Sequence, residues 1–196
     1  MTVKHGAAVL SSVYENFPKA SFLEKCRACG LPLNKKVKEF STGMKAKLKV
    51  LIAVSHGAEL LVLDEPTAGL DVMARDEIVD ILREYMENEG RGILISSHIS
   101  RDLESLCDDI YLIHKGRIIY HEDTDVILSD YGIIKVTEEQ YRRLDQEYIL
   151  AVKAENYGYS CLTKERRFYQ ENFPGIAVEK CGIDEIEIML TGGEKR

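Results

Sequence analysis

Asp64 and Glu65 stand side by side at the end of the apolar run Leu60-Leu61-Val62-Leu63, and Pro66-Thr67-Ala68-Gly69-Leu70-Asp71 follows them. Two neighbouring carboxylates in a partly buried place repel each other and lose hydration, so a cation or hydrogen bonds must compensate, or one carboxyl keeps its proton. His98 closes the next apolar run, in Ser96-Ser97-His98, and is a second group able to bond an anion or move a proton. The plain alternatives are an acid pair turned to solvent and a histidine satisfied by backbone. Farther upstream, Ser41, Thr42 and Gly43 open a helix. Free N–H groups and the positive end of the helix dipole face outward there, and a glycine lets backbone approach an anion closely. Simple capping by Ser41 or Thr42 is compatible with that role. Asp71 likewise reads as the N-cap of the next helix.

These residues need elements to hold them. Residues 60 to 64 and 93 to 97 are apolar without alternation, the pattern of parallel strands covered on both faces. Between them a helix over 72 to 89 carries a stripe of Ile78, Ile81, Leu82 and Tyr85 and closes at Gly90. A helix over 100 to 107 and strands over 110 to 114 and 117 to 121 come next, the strands joined by Lys115-Gly116, a tight hairpin signal. This alternation predicts an α/β core with its chemistry at the carboxyl ends of the strands.

Three helices precede that core. Met1 to Phe17 places Leu10, Val13, Tyr14 and Phe17 on one expected buried face, Ser21 to Cys29 stops at Gly30, and the helix from Ser41 or Thr42 buries Met44, Leu48, Leu51, Ile52 and Ser55. From Asp123 the composition shifts. A helix over 124 to 131 is capped by Gly132. Strand 133 to 136, helix 138 to 144, strands 148 to 154 and 159 to 163, helix 164 to 172 and strand 176 to 180 then run in the order β-α-β-β-α-β. That is a ferredoxin-like α+β module, with Thr137 and Gln140 as a capping box and a final helix at 184 to 190. Three parts are expected: 1 to 57, 58 to 131 and 132 to 196.

The motifs and their order resemble ATP-binding cassette (ABC) ATPases over roughly residues 36 to 121. Leu60 to Asp71 looks like the Walker B strand and D-loop, Phe40-Ser41-Thr42-Gly43-Met44 like a variant of the LSGGQ signature, and Ser96-Ser97-His98 like the switch histidine. The resemblance implies that Asp64 holds Mg²⁺, usually through water, and that Glu65 orients and deprotonates the attacking water. It implies that His98 bonds the γ-phosphate of ATP. It also implies that Ser41, Thr42 and Gly43 bind the ATP held by the opposite protomer of a head-to-tail dimer, across which Asp71 reaches. Phe40, Thr42 and Met44 depart from LSGGQ, and the STGM form is one associated with exporters of the ABC-2 type. The implied protein is a cytoplasmic ATPase subunit that energises a membrane permease and sits at the inner face of the membrane through it. Its fold is a partial P-loop NTPase core with a helical subdomain and a small appended module.

The family's phosphate-binding loop, GxxxxGK[ST], begins at none of the fourteen glycines. Met1 to Leu10 resembles the family's helical subdomain shortly after its glutamine loop. The expectation is therefore the carboxyl-terminal part of an ABC ATPase, without its Walker A part and poor at binding ATP alone. The alternative is a non-catalytic partner that completes another ATPase's site through the signature helix, with the last module for docking or regulation.

Composition narrows the partners. A formal net charge of -7 over 196 residues gives no general basic field and argues against nucleic acid. Lys35, Lys36, Lys38, Lys45, Lys47 and Lys49 read as a solvated face. Five cysteines without a secretory signal point to reduced thiols, and Cys26 and Cys29 read as ordinary partly buried cysteines. Tyr157, Tyr159, Phe168 and Tyr169 read as core of the last module. No apolar run approaches the ~18 residues needed to span a bilayer, so any membrane connection goes through a partner.

Overall fold

Side-chain caps start two of the helices that precede the first strand. In the computed structural model, which describes residues 1–192 and the backbone of 194–195, α1 (Val3–Val13) begins at Thr2, whose hydroxyl accepts from the His5 N–H. α2 (Lys19–Ala28) follows Pro18, and α3 (Thr42–Ser55) begins at Ser41, whose hydroxyl accepts from the Met44 N–H at 3.2 Å. The buried face of α1 is not the expected one. Val3 and Ala7 are buried while Val13 and Tyr14 are exposed, because the chain turns extended at Tyr14 and Phe17 reaches the core from beyond the helix. Phe17, Phe22, Cys26, Leu31, Phe40, Leu48 and Leu51 complete this core. Burial of a ring such as Phe22 contributes about 2 kcal/mol.

β1 (Leu60–Asp64) and β2 (Gly92–Ser96) pair in parallel, with Leu60 opposite Gly92 and Asp64 opposite Ser96. α4 (Val72–Met86) makes the crossover and buries Ala74, Ile78, Leu82 and Tyr85 against Leu61 and Val50. The helix ends at Met86 rather than 89, where the Asn88 side chain donates to the carbonyls of Glu84 and Tyr85. α5 (Ser100–Leu106) follows β2. The expected cover on both sheet faces is not met: Leu61 is buried, whereas Leu60, Val62 and Leu94 are 60%, 70% and 62% exposed. Successive side chains point to opposite faces of a strand, so one face packs on α4 and the other is open.

The chain divides into two compact units, Met1–Leu106 and Cys107–Arg196, and this division falls inside the span 58 to 131. The second unit opens with the hairpin of β3 (Asp109–His114) and β4 (Arg117–Asp123). Lys115 and Gly116 both have positive φ, 49° and 73°, the pairing that lets a two-residue turn match strand twist. α6 (Thr124–Asp130) leads into a five-stranded antiparallel sheet of β5 (Gly132–Val136), β6 (Ile149–Glu155), β7 (Gly158–Thr163), β8 (Ala177–Lys180) and β9 (Glu194–Lys195), in the order β8-β5-β7-β6-β9. The first four of these strands thus lie in the order 4-1-3-2, as a ferredoxin-like module requires, and β9 adds an edge that the pattern did not suggest. α7 (Glu138–Arg143), started by the Thr137–Gln140 capping box, α8 (Arg166–Asn172) and α9 (Ile183–Gly192) complete the unit. Its core holds Ile134, Val136, Leu144, Ile149, Cys161 and Tyr169, with Tyr159 and Phe168 packed against them. Tyr157 departs from the expected core: it is half exposed, and its hydroxyl shares a hydrogen bond with Ser160.

Candidate functional site

Because β1 and β2 are parallel and in register, the residues that follow them emerge at the same end of the sheet. Ser96 donates its hydroxyl to Asp64 Oδ1 at 2.5 Å, and the Glu65 N–H extends the ladder to the Ser96 carbonyl at 3.0 Å. Glu65 then takes φ 47°, a left-handed conformation uncommon outside glycine. The turn is closed by the Ala68 N–H, which donates to the Glu65 carbonyl. With the chain bent in this way, Glu65 Oε2 lies 2.8 Å from His98 Nδ1. The adjacent acids therefore tolerate each other because each has its own neighbour, a serine hydroxyl for Asp64 and an imidazole for Glu65. The His98 side chain is 69% exposed and Glu65 35%, so a ligand can reach both.

The donors gathered at Asp64 and Ser96 are oxygens, the chemistry that suits a hard cation. Mg²⁺ keeps several waters and takes one or two carboxylates. No three His, Cys, Asp or Glu side chains gather to hold a metal among the described residues. The Glu65–His98 pair can accept a proton from a water held beside it and hold the resulting charge.

Ser41, Thr42, Gly43 and Asp71 form a second cluster. Asp71 Oδ1 accepts from the Ala74 N–H at 2.9 Å, as Ser41 accepts from Met44, so both act as helix caps. The starts of α3 and α4 meet, since a Cβ built on Gly43 would stand 3.0 Å from that of Ala74. Ser41, Thr42 and Asp71 are exposed beside this contact. The hydrogen bonds of Ser41 and Asp71 run within their own helices, and those of Asp64 and Glu65 run to β2 and the segment after it.

Reasoning from sequence overlooked the buried contact between Thr67 and Asp102, whose Oδ2 accepts the Thr67 hydroxyl at 2.6 Å. The available signal was a threonine inside the turn after Glu65 and an acid four residues past His98. Cys26 and Cys29 are free thiols; burial, and to a lesser extent the neighbouring Cys29, pushes Cys26 up to about 12, and burial also raises Cys29. Of the lysines near the signature, Lys47 pairs with Glu77 and donates to the Cys29 carbonyl, while Lys45 and Lys49 are exposed.

A family model described as "AAA domain, putative AbiEii toxin, Type IV TA system" matches residues 36–101. Along its whole length the chain is 25% identical to the ABC transporter ATP-binding protein YtrB of Bacillus subtilis and covers 70% of it. It is 38% identical over 96 residues to a putative ABC transporter ATP-binding protein of Mycoplasma pneumoniae, covering 49% of this chain and 29% of that protein. With the ABC transporter ATP-binding protein NatA of Bacillus subtilis it shares 33% over 124 residues, 62% of this chain and 45% of the relative. The chain thus spans less than half the length of these last two. Among solved structures, the ATP-binding subunit of an ABC transporter matches at a TM-score of 0.52 and 27% identity, covering 65% of this chain and 55% of the other. A putative metal-chelate type ABC transporter matches at 0.55, over 82% and 65%, and at 14% identity this likeness is one of fold.

Proposed function

From a chain that is homologous to ABC transporter ATP-binding proteins and built on part of their P-loop NTPase fold, we propose an ATP-binding and ATP-hydrolysing subunit that energises a membrane permease. The contact of Glu65 with His98 at the carboxyl ends of two parallel strands is the observation that carries this reading. Glu65 is the base that orients and deprotonates the attacking water, a role worth roughly 10²- to 10⁴-fold in rate. His98 bonds the γ-phosphate and, through the same ring, steadies Glu65. Asp64, with Ser96 beside it, would hold Mg²⁺, which when bound neutralises phosphate charge.

In the same reading Ser41, Thr42 and Gly43 face the nucleotide of a second protomer in a head-to-tail dimer, and Asp71 reaches across it. The exposed helix start is suited to that role. The subunit works at the cytoplasmic face of the membrane through its permease. No helix among the described residues is long and apolar enough to cross a membrane. Nucleic acid has no part in it. Because the 196 residues hold no GxxxxGK[ST] cradle, this polypeptide by itself binds Mg-ATP weakly. Tight, stoichiometric binding in a titration would overturn that statement.

Phosphate release by the permease complex carrying this subunit tests the catalytic role. Glu65→Gln should lower kcat by about a hundredfold or more. Unchanged turnover would instead make the chain a non-catalytic partner that contributes its signature helix to another ATPase.

A further inference from the structure

Thr67 is fully buried and Asp102 is 3% exposed. A carboxylate so far from water is costly unless its oxygens are paired, and one of them accepts the Thr67 hydroxyl at 2.6 Å. Arg75 approaches the same oxygen with its Nε at 3.9 Å, close enough for charge attraction but beyond hydrogen-bond length, and this buried Nε has no hydrogen-bond partner among the described residues.

Both ends of the contact are locally fixed. The Asp102 N–H donates to the Ile99 carbonyl at 3.0 Å and the Ser105 hydroxyl donates to the Asp102 carbonyl, which seats Asp102 in the first turn of α5, four residues past His98. Thr67 lies two residues past Glu65, inside the turn closed by the Ala68 N–H, and its own carbonyl accepts from Leu70 just before Asp71. One buried hydrogen bond therefore joins the loop that carries Glu65 to the helix that follows His98, and runs parallel to the 2.8 Å contact between those two side chains. If the place needed only filling, an apolar pair would serve at least as well, since a buried ionic group is a poor source of stability. What a hydroxyl–carboxylate bond adds is direction and distance.

We propose that Thr67 and Asp102 are positioning residues that hold Glu65 and His98 at hydrogen-bond distance. The geometric statement stands by itself; its consequence for turnover rests on the ATPase reading above.

The test follows the His98 imidazole in the 196-residue chain by ¹⁵N NMR, without nucleotide. In the unmodified chain Nδ1–H donates to Glu65, so one tautomer should dominate. Thr67→Val keeps the shape and removes the hydroxyl, and Asp102→Ala removes the acceptor. Each should average the two tautomers, the double variant should go no further than either single one, and Thr67→Ser should restore the original pattern. An unchanged His98 pattern in folded Thr67→Val, or equal disruption by Thr67→Ser, would overturn the proposal.

A second measurement needs no substitution. The Thr67 hydroxyl proton should exchange slowly enough to give its own resonance, and a proton that merges with water would equally overturn the proposal. In the permease complex Thr67→Val should lower kcat about tenfold at unchanged KM, with rescue by Thr67→Ser; unchanged kcat would overturn the consequence. The NMR arms do not depend on hydrolysis. Failure of the ATPase reading would show as turnover that survives Glu65→Gln, a different result from loss of the positioning role.

Discussion

Gly43 and Ala74 stand where two helices begin, and a Cβ added to Gly43 would lie 3.0 Å from the Cβ of Ala74. That spacing is tighter than ordinary van der Waals contact, so the signature glycine has a packing reason to be there as well as any role in approaching an anion.

Gly43→Ala should cost about 1 to 2 kcal/mol through overpacking, partly offset by the better helix propensity of alanine. Ala74→Gly added to it should recover most of the packing loss, because the two residues share one contact. Urea unfolding of the two single variants and the double variant measures this. Additive losses would mean that the contact is not the cause.

The Cys26 thiol gives a pH dependence of known sign. Its folded value is raised from 9.0 to about 12 by burial, so the unfolded chain ionises first. The stability this thiol contributes is present below pH 9 and is lost as pH rises from about 9 to about 12. Urea midpoints followed over that range should fall less steeply in Cys26→Ala. In the native chain at pH 8, iodoacetamide should leave Cys26 unmodified, since the reactive form is the thiolate.

Val62 and Leu61 are neighbours in β1 with opposite surroundings, 70% and 4% exposed. Val62→Lys should change stability by no more than about 0.5 kcal/mol and should reduce dye binding and self-association through the open sheet face. Leu61→Ala should cost roughly 2 to 5 kcal/mol. Equal effects at the two positions would mean that the strand does not present the faces described.

Much of the fold could be read from residue pattern. β1 falls on the expected 60 to 64, the Lys115-Gly116 turn has the positive φ values its hairpin needs, and Thr137 and Gln140 form the expected capping box. These features rest on interactions between residues near in sequence, so local pattern is enough to specify them. The face of α1 was misread because the helical spacing ran on through Tyr14, where the backbone has already become extended. The double cover expected for β1 and β2 failed for a different reason: an apolar run says that a strand can be covered on both faces, not what lies against each one.

At the site, the sequence alone determined the chemical types and their order: a carboxylate pair after an apolar strand, a histidine after the next, and capped helix starts at Ser41 and Asp71. Only the tertiary structure decided that Glu65 bends into a left-handed conformation, that Ser96 and His98 divide the two acids between them, that Gly43 packs on Ala74, and that Thr67 is tied to Asp102. The last three each join residues some 30 positions apart. Their distance is set by the parallel register of β1 with β2 and by the packing of α3 on α4, which arise only when the chain closes on itself.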